Sequence, residues 1–152
     1  MKLTAQVLSV VLLALFLQAC QLGEDDDGEE EIDTITISSE YYEDDVTNEN
    51  AYELVLQATA NYADFVAKDN LAEIKIYSDE AYIEIDSDEE IGEIKIFGDG
   101  NNIVVKSGVN LTVGQVTITG DNNGVRVFGV TLCSDTGENN GIYANNVAVC
   151  LD

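Results

Sequence analysis

The chain of 152 residues carries 30 Asp and Glu against 6 Lys and Arg, a formal net charge of −24. Such a surface is unsuited to nucleic acid, whose binding needs Lys and Arg against phosphate, and to charge-driven adhesion on anionic lipid. With no histidine in the chain, Ser-His-Asp catalysis, Cys-His catalysis and the His-bearing zinc sites are excluded.

In chain order, Met1 and Lys2 open a basic start that is followed by the apolar run Val7 to Leu17, interrupted only by Ser9. That run is too short for a bilayer span, which takes about 20 apolar residues. It closes on Leu17-Gln-Ala-Cys20, the pattern of a bacterial lipoprotein signal peptide cut after Ala19 and acylated on Cys20. Residues 1 to 19 are therefore expected to be removed, and more than one acyl chain on Cys20 would anchor the remainder stably. Gln21 stands where an Asp would signal inner-membrane retention, which favours the outer membrane. Cleavage removes only Lys2 from the charge tally, leaving 30 acids against 5 bases. The next stretch, residues 20 to 33, reads as a flexible acidic tether extended by its own repulsion.

From residue 34 to 152 the expectation is one β domain. Ile74-Lys-Ile-Tyr-Ser-Asp-Glu-Ala-Tyr-Ile-Glu-Ile85 aligns with Ile94 to Val105 and with Val116 to Val127. Each unit holds two short alternating strands separated by a polar turn. Leu54 to Phe65 fits the same frame one unit earlier, Ile35 to Ile37 begins a more degenerate one, and Val130 to Asp135 repeats the strand-then-Asp phrase, with Ile142 and Val147 to Val149 completing it. A unit alone has too little apolar surface to bury, so the strands are expected to pair with their equivalents in the next unit. The result is an all-β fold, a small parallel β-solenoid of five or six coils of about 20 residues. Its inner columns are Ile74, Ile94, Val116 and Ile76, Ile96, Ile118, in a rod of about 25 to 30 Å. Two alternatives stay open: an antiparallel sandwich using the turn signals Asp99-Gly100 and Asn123-Gly124, and an amphipathic helix over residues 51 to 71.

The phrases Gly98-Asp-Gly-Asn-Asn-Ile-Val-Val105 and Gly120-Asp-Asn-Asn-Gly-Val-Arg-Val127 resemble a family of bacterial domains of unknown function built from short Asn- and Gly-rich β-solenoid repeats. Such domains are often found in secreted proteins and lipoproteins. The resemblance covers about residues 74 to 130, and it implies a fold without an activity.

With Cys20 acylated, Cys133 and Cys150 remain as a pair, and in an oxidising compartment they are expected to form a disulfide. Coil stacking would place Asp79, Asp99, Asp121 and Asp135 in one column at the same turn. Calcium held with the carbonyls of Gly98 and Gly120 is one way to offset their repulsion. Capping of their own turn backbone, with the side chains pointing into water, is the other, and the nonapeptide of calcium-binding β-rolls is not reproduced. Asn101, Asn102, Asn122 and Asn123 are candidates for amide ladders between coils, while Glu73 and Lys75 stack on Glu93 and Lys95. No catalytic residue is assigned, since polysaccharide lyases need several basic side chains on one face and Arg126 is the only arginine.

The functional expectation is a non-enzymatic, lipid-anchored envelope protein that binds the membrane through Cys20 and presents a rigid surface to an envelope glycan or protein. It needs no cofactor unless calcium is one. A calcium-dependent adhesive module and a polysaccharide-active enzyme are the alternatives.

Overall fold

A computed structural model describes residues 32–150. The expected signal peptide, Cys20 and residues 21 to 31 of the expected tether lie outside the described residues. The described chain is all β, with twelve strands: β1 (Asp33–Ile37), β2 (Tyr52–Leu56), β3 (Asp64–Lys68), β4 (Leu71–Ile76), β5 (Tyr82–Asp86), β6 (Ile91–Ile96), β7 (Asn102–Val105), β8 (Thr112–Ile118), β9 (Gly124–Val127), β10 (Gly129–Asp135), β11 (Gly141–Ala144) and β12 (Val147–Cys150). They form two six-stranded sheets, β1-β2-β4-β6-β8-β10 and β12-β11-β9-β7-β5-β3. Every neighbouring pair is parallel except β11 with β12. The chain thus winds through one sheet and then the other, making a parallel β-solenoid of about six coils.

The winding follows from period-two patterning. In β4 the inward Ile74 and Ile76 are fully buried while Lys75 between them is half-exposed, and the same holds for Ile94 and Ile96 around Lys95. Ile74 pairs with Ile94 and Ile94 with Val116, Ile76 with Ile96 and Ile96 with Ile118, so both inner columns stand in the expected register. Leu54 and Leu56 extend them below. The second sheet contributes Phe65, Ile83, Ile103, Val125 and Ile142 as the facing spine. One continuous core results, in which each coil buries apolar area that it could not bury alone.

Residues 51 to 71 hold the strands β2 and β3 joined by turns, and the helical alternative is not adopted. Tyr52, Leu54 and Leu56 alternate inward and are fully buried, and stacking on β4 outweighs the helix propensity of Ala and Glu. The Tyr52 hydroxyl donates to the Lys68 carbonyl at 2.9 Å, and its burial pushes the phenol up to about 12. The first strand begins at Asp33, one residue inside the expected tether. Its carboxylate accepts from Asn48 Nδ2 at 2.7 Å.

The ends differ from each other. At the start, β1 and Val46, which bridges to Ala67, make a genuine first coil. At the other end, Asn145 and Asn146 both take left-handed backbone (φ 47° and 62°) and turn β12 back against β11. Val147 to Val149 therefore form an antiparallel cap and do not continue the winding. Cys133 and Cys150 are joined as a disulfide, with Cα atoms 6.4 Å apart, which ties β12 to β10.

Candidate functional site

The corner after the first sheet is built from the phrase Gly-Asp-x-Asn. A Cβ on Gly98 would be driven into the Ser78 carbonyl, one on Gly120 into the Gly98 carbonyl, and one on Gly137 into the Gly120 carbonyl. Only glycine lets the backbones approach this closely. The next residue forms a ladder: Oδ1 of Asp79 accepts the N–H of Asp99, Oδ1 of Asp99 that of Asp121, and Oδ1 of Asp121 that of Glu138, each at 2.7 Å. Below them, Asn61 Oδ1 accepts the N–H of Asp79 at 2.9 Å. These carboxylates thus bond to the turn backbone of the next coil and not to their own. A charge-assisted bond to each N–H offsets the cost of stacking like charges.

Asp79, Asp99 and Asp121 are brought together as expected, but Asp135 is not in their column. It pairs with Ile118, at the end of an inner column. Its Oδ1 accepts from the Gly137 N–H at 3.1 Å and from Asn140 Nδ2 at 2.8 Å. The corner residue of the last coil is Glu138. The last coil is shorter, with a step of 17 residues from Asp121 to Glu138 against 20 and 22 in the two preceding steps, so the strand-then-Asp phrase falls out of phase.

Third residues of the corner occupy left-handed backbone throughout: Tyr41, Tyr62, Glu80, Gly100, Asn122 and Asn139, with φ between 57° and 69°. Each N–H except the last donates to a carbonyl of the following coil, as from Gly100 to Asp121 at 2.9 Å. The fourth residues, Asn101, Asn123 and Asn140, are buried and form an amide ladder. Asn123 Oδ1 accepts from the Asn101 N–H at 2.8 Å and from Asn101 Nδ2 at 3.1 Å, while Asn123 Nδ2 donates to the Gly98 carbonyl at 3.0 Å. Asn140 Oδ1 likewise accepts from the Asn123 N–H at 2.7 Å, and Asn140 Nδ2 donates to the Gly120 carbonyl at 2.8 Å. Asn102 and Asn122, also candidates for the ladder, instead point outward, and Asn140 takes the place that sequence reasoning left vacant. The match between Thr119-Gly-Asp-Asn-Asn-Gly-Val125 and Thr136-Gly-Glu-Asn-Asn-Gly-Ile142 was the available signal.

The ladder also engages the carbonyls of Gly98 and Gly120, the two oxygens offered to calcium. Among the described residues, no group of three or more Cys, Asp or Glu side chains converges on a point that would hold a metal ion. Beside the acidic column a shallow depression of about 620 Å³ is bordered by Asp79, Glu80, Asp99, Gly100 and Asn122. Next to the same corner, Tyr77 stacks on Phe97 with ring centroids 4.7 Å apart, and Tyr41 on Tyr62 at 5.3 Å.

On the outer face of the first sheet, Glu73 pairs with Glu93 and Lys75 with Lys95 in register. Lys95 bonds Glu93 of its own coil at 2.5 Å, whereas Lys75 reaches back to Glu53 and lies 3.8 Å from Glu73. The Glu53 carboxylate holds the Lys75 ammonium above its usual range, and Asp86 does the same for Lys106. Lys68 pairs with Asp45 at 2.6 Å and holds that carboxyl below its ordinary value. Every described lysine therefore has a carboxylate partner.

Arg126 differs. On the outer face of the second sheet it stands in a column between Val104 and Tyr143. It forms no ion pair among the described residues, and its guanidinium lies over the Tyr143 ring, 5.4 Å from the centroid. The parallel column beside it is Asn102, Gly124 and Gly141. A depression of about 370 Å³ borders Arg126 on the side of the Asn-rich corner. Another, of about 440 Å³, borders it on the side of Lys106 and Phe128.

Fold and corner together define a parallel β-solenoid whose coils interlock through backbone-bonded Asp and buried Asn side chains. Comparison of the chain with protein-family models, known proteins and solved structures returned no match.

Proposed function

We propose that this chain is a lipid-anchored protein of the bacterial cell envelope, held at the outer membrane through Cys20, whose solenoid acts as a rigid surface for binding or structural work and not as an enzyme. The observation that carries this reading is the use made of the corner side chains. Oδ1 of Asp79, Asp99 and Asp121 and the amides of Asn101, Asn123 and Asn140 bond one coil to the next. The polar residues most suited to chemistry thereby stiffen the rod. Anchoring is supported by the sequence Leu17-Gln-Ala-Cys20 after its apolar run. The disulfide between Cys133 and Cys150 suits an exported, oxidising location.

Growth of the producing cells with an alkyne-tagged palmitate tests the anchor. The full-length chain is expected to incorporate label and to fractionate with the outer membrane, and Cys20→Ala to lose both properties. An unlabelled wild-type protein recovered in the soluble fraction would refute the proposal.

A second reading, a calcium-dependent adhesive module, is favoured by the depression that Asp79, Glu80 and Asp99 border. It predicts a rise in melting temperature at millimolar calcium, reduced in Asp99→Asn, and an unchanged melt removes it.

A further inference from the structure

The charge of the chain is distributed unevenly. Of its 30 acidic residues only Asp121, Asp135, Glu138 and Asp152 follow residue 100. Within this acid-poor part, the outer face of the second sheet presents Asn102, Val104, Gly124, Arg126, Gly141 and Tyr143, none of them acidic. Arg126 sits in their midst. Among the described residues this guanidinium has no carboxylate partner, and the group it lies against is the Tyr143 ring. The ring lies across Gly141, where a Cβ would strike it. Stacking keeps the planar fork oriented while leaving its donors available.

The asparagines divide in the same region. Of the pairs Asn101-Asn102, Asn122-Asn123 and Asn139-Asn140, one member of each is buried in the ladder. The side chains of the other members, Asn102, Asn122 and Asn139, make no hydrogen bond among the described residues, and all three border the depression beside Arg126. Each amide offers both donors and acceptors, the complement of a row of hydroxyl groups. Gly124 leaves the floor between Asn102 and Arg126 without a side chain.

We propose that this face, across the coils of β7, β9 and β11, is a binding site for the carboxylated sugar units of an anionic glycan. Arg126 receives the carboxylate in a two-point, charge-assisted pair. Asn102, Asn122 and Asn139 read the hydroxyls, and Tyr143 fixes the guanidinium. A uronic acid suits the site because it couples one carboxylate to several hydroxyls in each ring. A densely charged polyanion would meet the repulsion of the whole chain with one cation to oppose it. The inference rests on the binding half of the proposed function and gives it a ligand class.

Titration calorimetry on the mature, disulfide-bonded chain tests it. The probes are a tetramer of hexose units that contains one hexuronic acid and the same tetramer with that carboxylate reduced to a primary alcohol. The uronate is expected to bind, and the reduced tetramer to bind at least about tenfold more weakly. Arg126→Gln should lower uronate affinity by a similar factor, with Arg126→Lys and Tyr143→Leu falling between. Because Arg126 is exposed, its two variants should melt near wild type. If one does not, the two ligands on the wild-type chain decide the matter alone. Equal binding of both tetramers, uronate binding that survives Arg126→Gln, or no binding of either would overturn the proposal. Retained acyl labelling in that event would leave the anchored rod standing and remove only its ligand.

Discussion

Truncation of Asn123 to alanine tests the amide ladder directly. In the native corner its Oδ1 accepts from the Asn101 N–H at 2.8 Å and its Nδ2 donates to the Gly98 carbonyl at 3.0 Å, with the side chain 3% exposed. Alanine leaves both backbone groups without a partner in a site closed to water, at about 1 to 3 kcal/mol for each. The backbone N–H of residue 123 keeps its bond to Asn140 Oδ1 at 2.7 Å, so the expected loss is about 3 kcal/mol in total. Asn122→Ala is the control: its side chain is exposed, and alanine at φ 58° costs only the left-handed strain, about 1 kcal/mol. Urea unfolding followed by far-ultraviolet circular dichroism, with the disulfide intact, measures both through the midpoint at constant slope. Asn123→Asp adds a pH test. Its carboxylate keeps the acceptor but faces the Gly98 carbonyl where a donor stood, without a cation. Burial raises its folded pKa, so relative to wild type the variant is least destabilised in acid and loses stability as pH rises through that value. An Asn123→Ala variant within about 0.5 kcal/mol of Asn122→Ala would refute the ladder as a source of stability.

Glu80 holds left-handed backbone at φ 57° where the next coil has Gly100; Glu80→Gly is expected to raise stability by about 1 kcal/mol in the same urea assay, by removing a Cβ from a conformation that disfavours it. Replacing both cysteines, Cys133→Ser with Cys150→Ser, releases a link of sequence separation 17 and should cost about 3 kcal/mol, with amide exchange quickening first in β12 and β10. Tyr52 has its phenol pushed up to about 12 by burial, so its contribution is complete below the unfolded value near 10 and is lost as pH rises toward 12. Tyr52→Phe, monitored by alkaline unfolding, should flatten that limb, and an unchanged alkaline limb would place its cause in another group.

Period-two alternation and a 20-residue repeat made the core legible, because Ile74, Ile94 and Val116 occupy equivalent positions in phrases of nearly equal length. Legibility failed where the repeat changed length. In the last coil a 17-residue step moved Asp135 inward and Glu138 to the corner, a shift that residue type alone does not disclose. The return of β12 depends on two consecutive left-handed asparagines, whereas Val147 to Val149 read in the sequence as an alternating strand with no direction specified. Stacking also decides which Asn of each pair is buried: the inward member is first in Asn101-Asn102 and second in Asn122-Asn123, because Gly100 and Asn122 occupy the same left-handed position. Arg126 was visible as the lone arginine, but its placement against Tyr143 follows from coil register and not from proximity in sequence.

The corner column also explains why the two ends of the solenoid have different characters. Early coils place Tyr41, Tyr62 and Glu80 in left-handed backbone, which disfavours large side chains, whereas later coils place Gly100, Asn122 and Asn139 there. The buried amides are confined to those later coils, as are the glycines that permit close stacking, while most of the acid load precedes them. In a stack where stability is a sum over coils and their nearest neighbours, strain and repulsion are thereby concentrated toward β1 and interlocking toward β11. A recognition surface gains from being carried by the stiffer end, because less ordering is left for binding to accomplish. Arg126, Tyr143 and the outward asparagines occupy that end, on coils whose inward asparagines hold them in place.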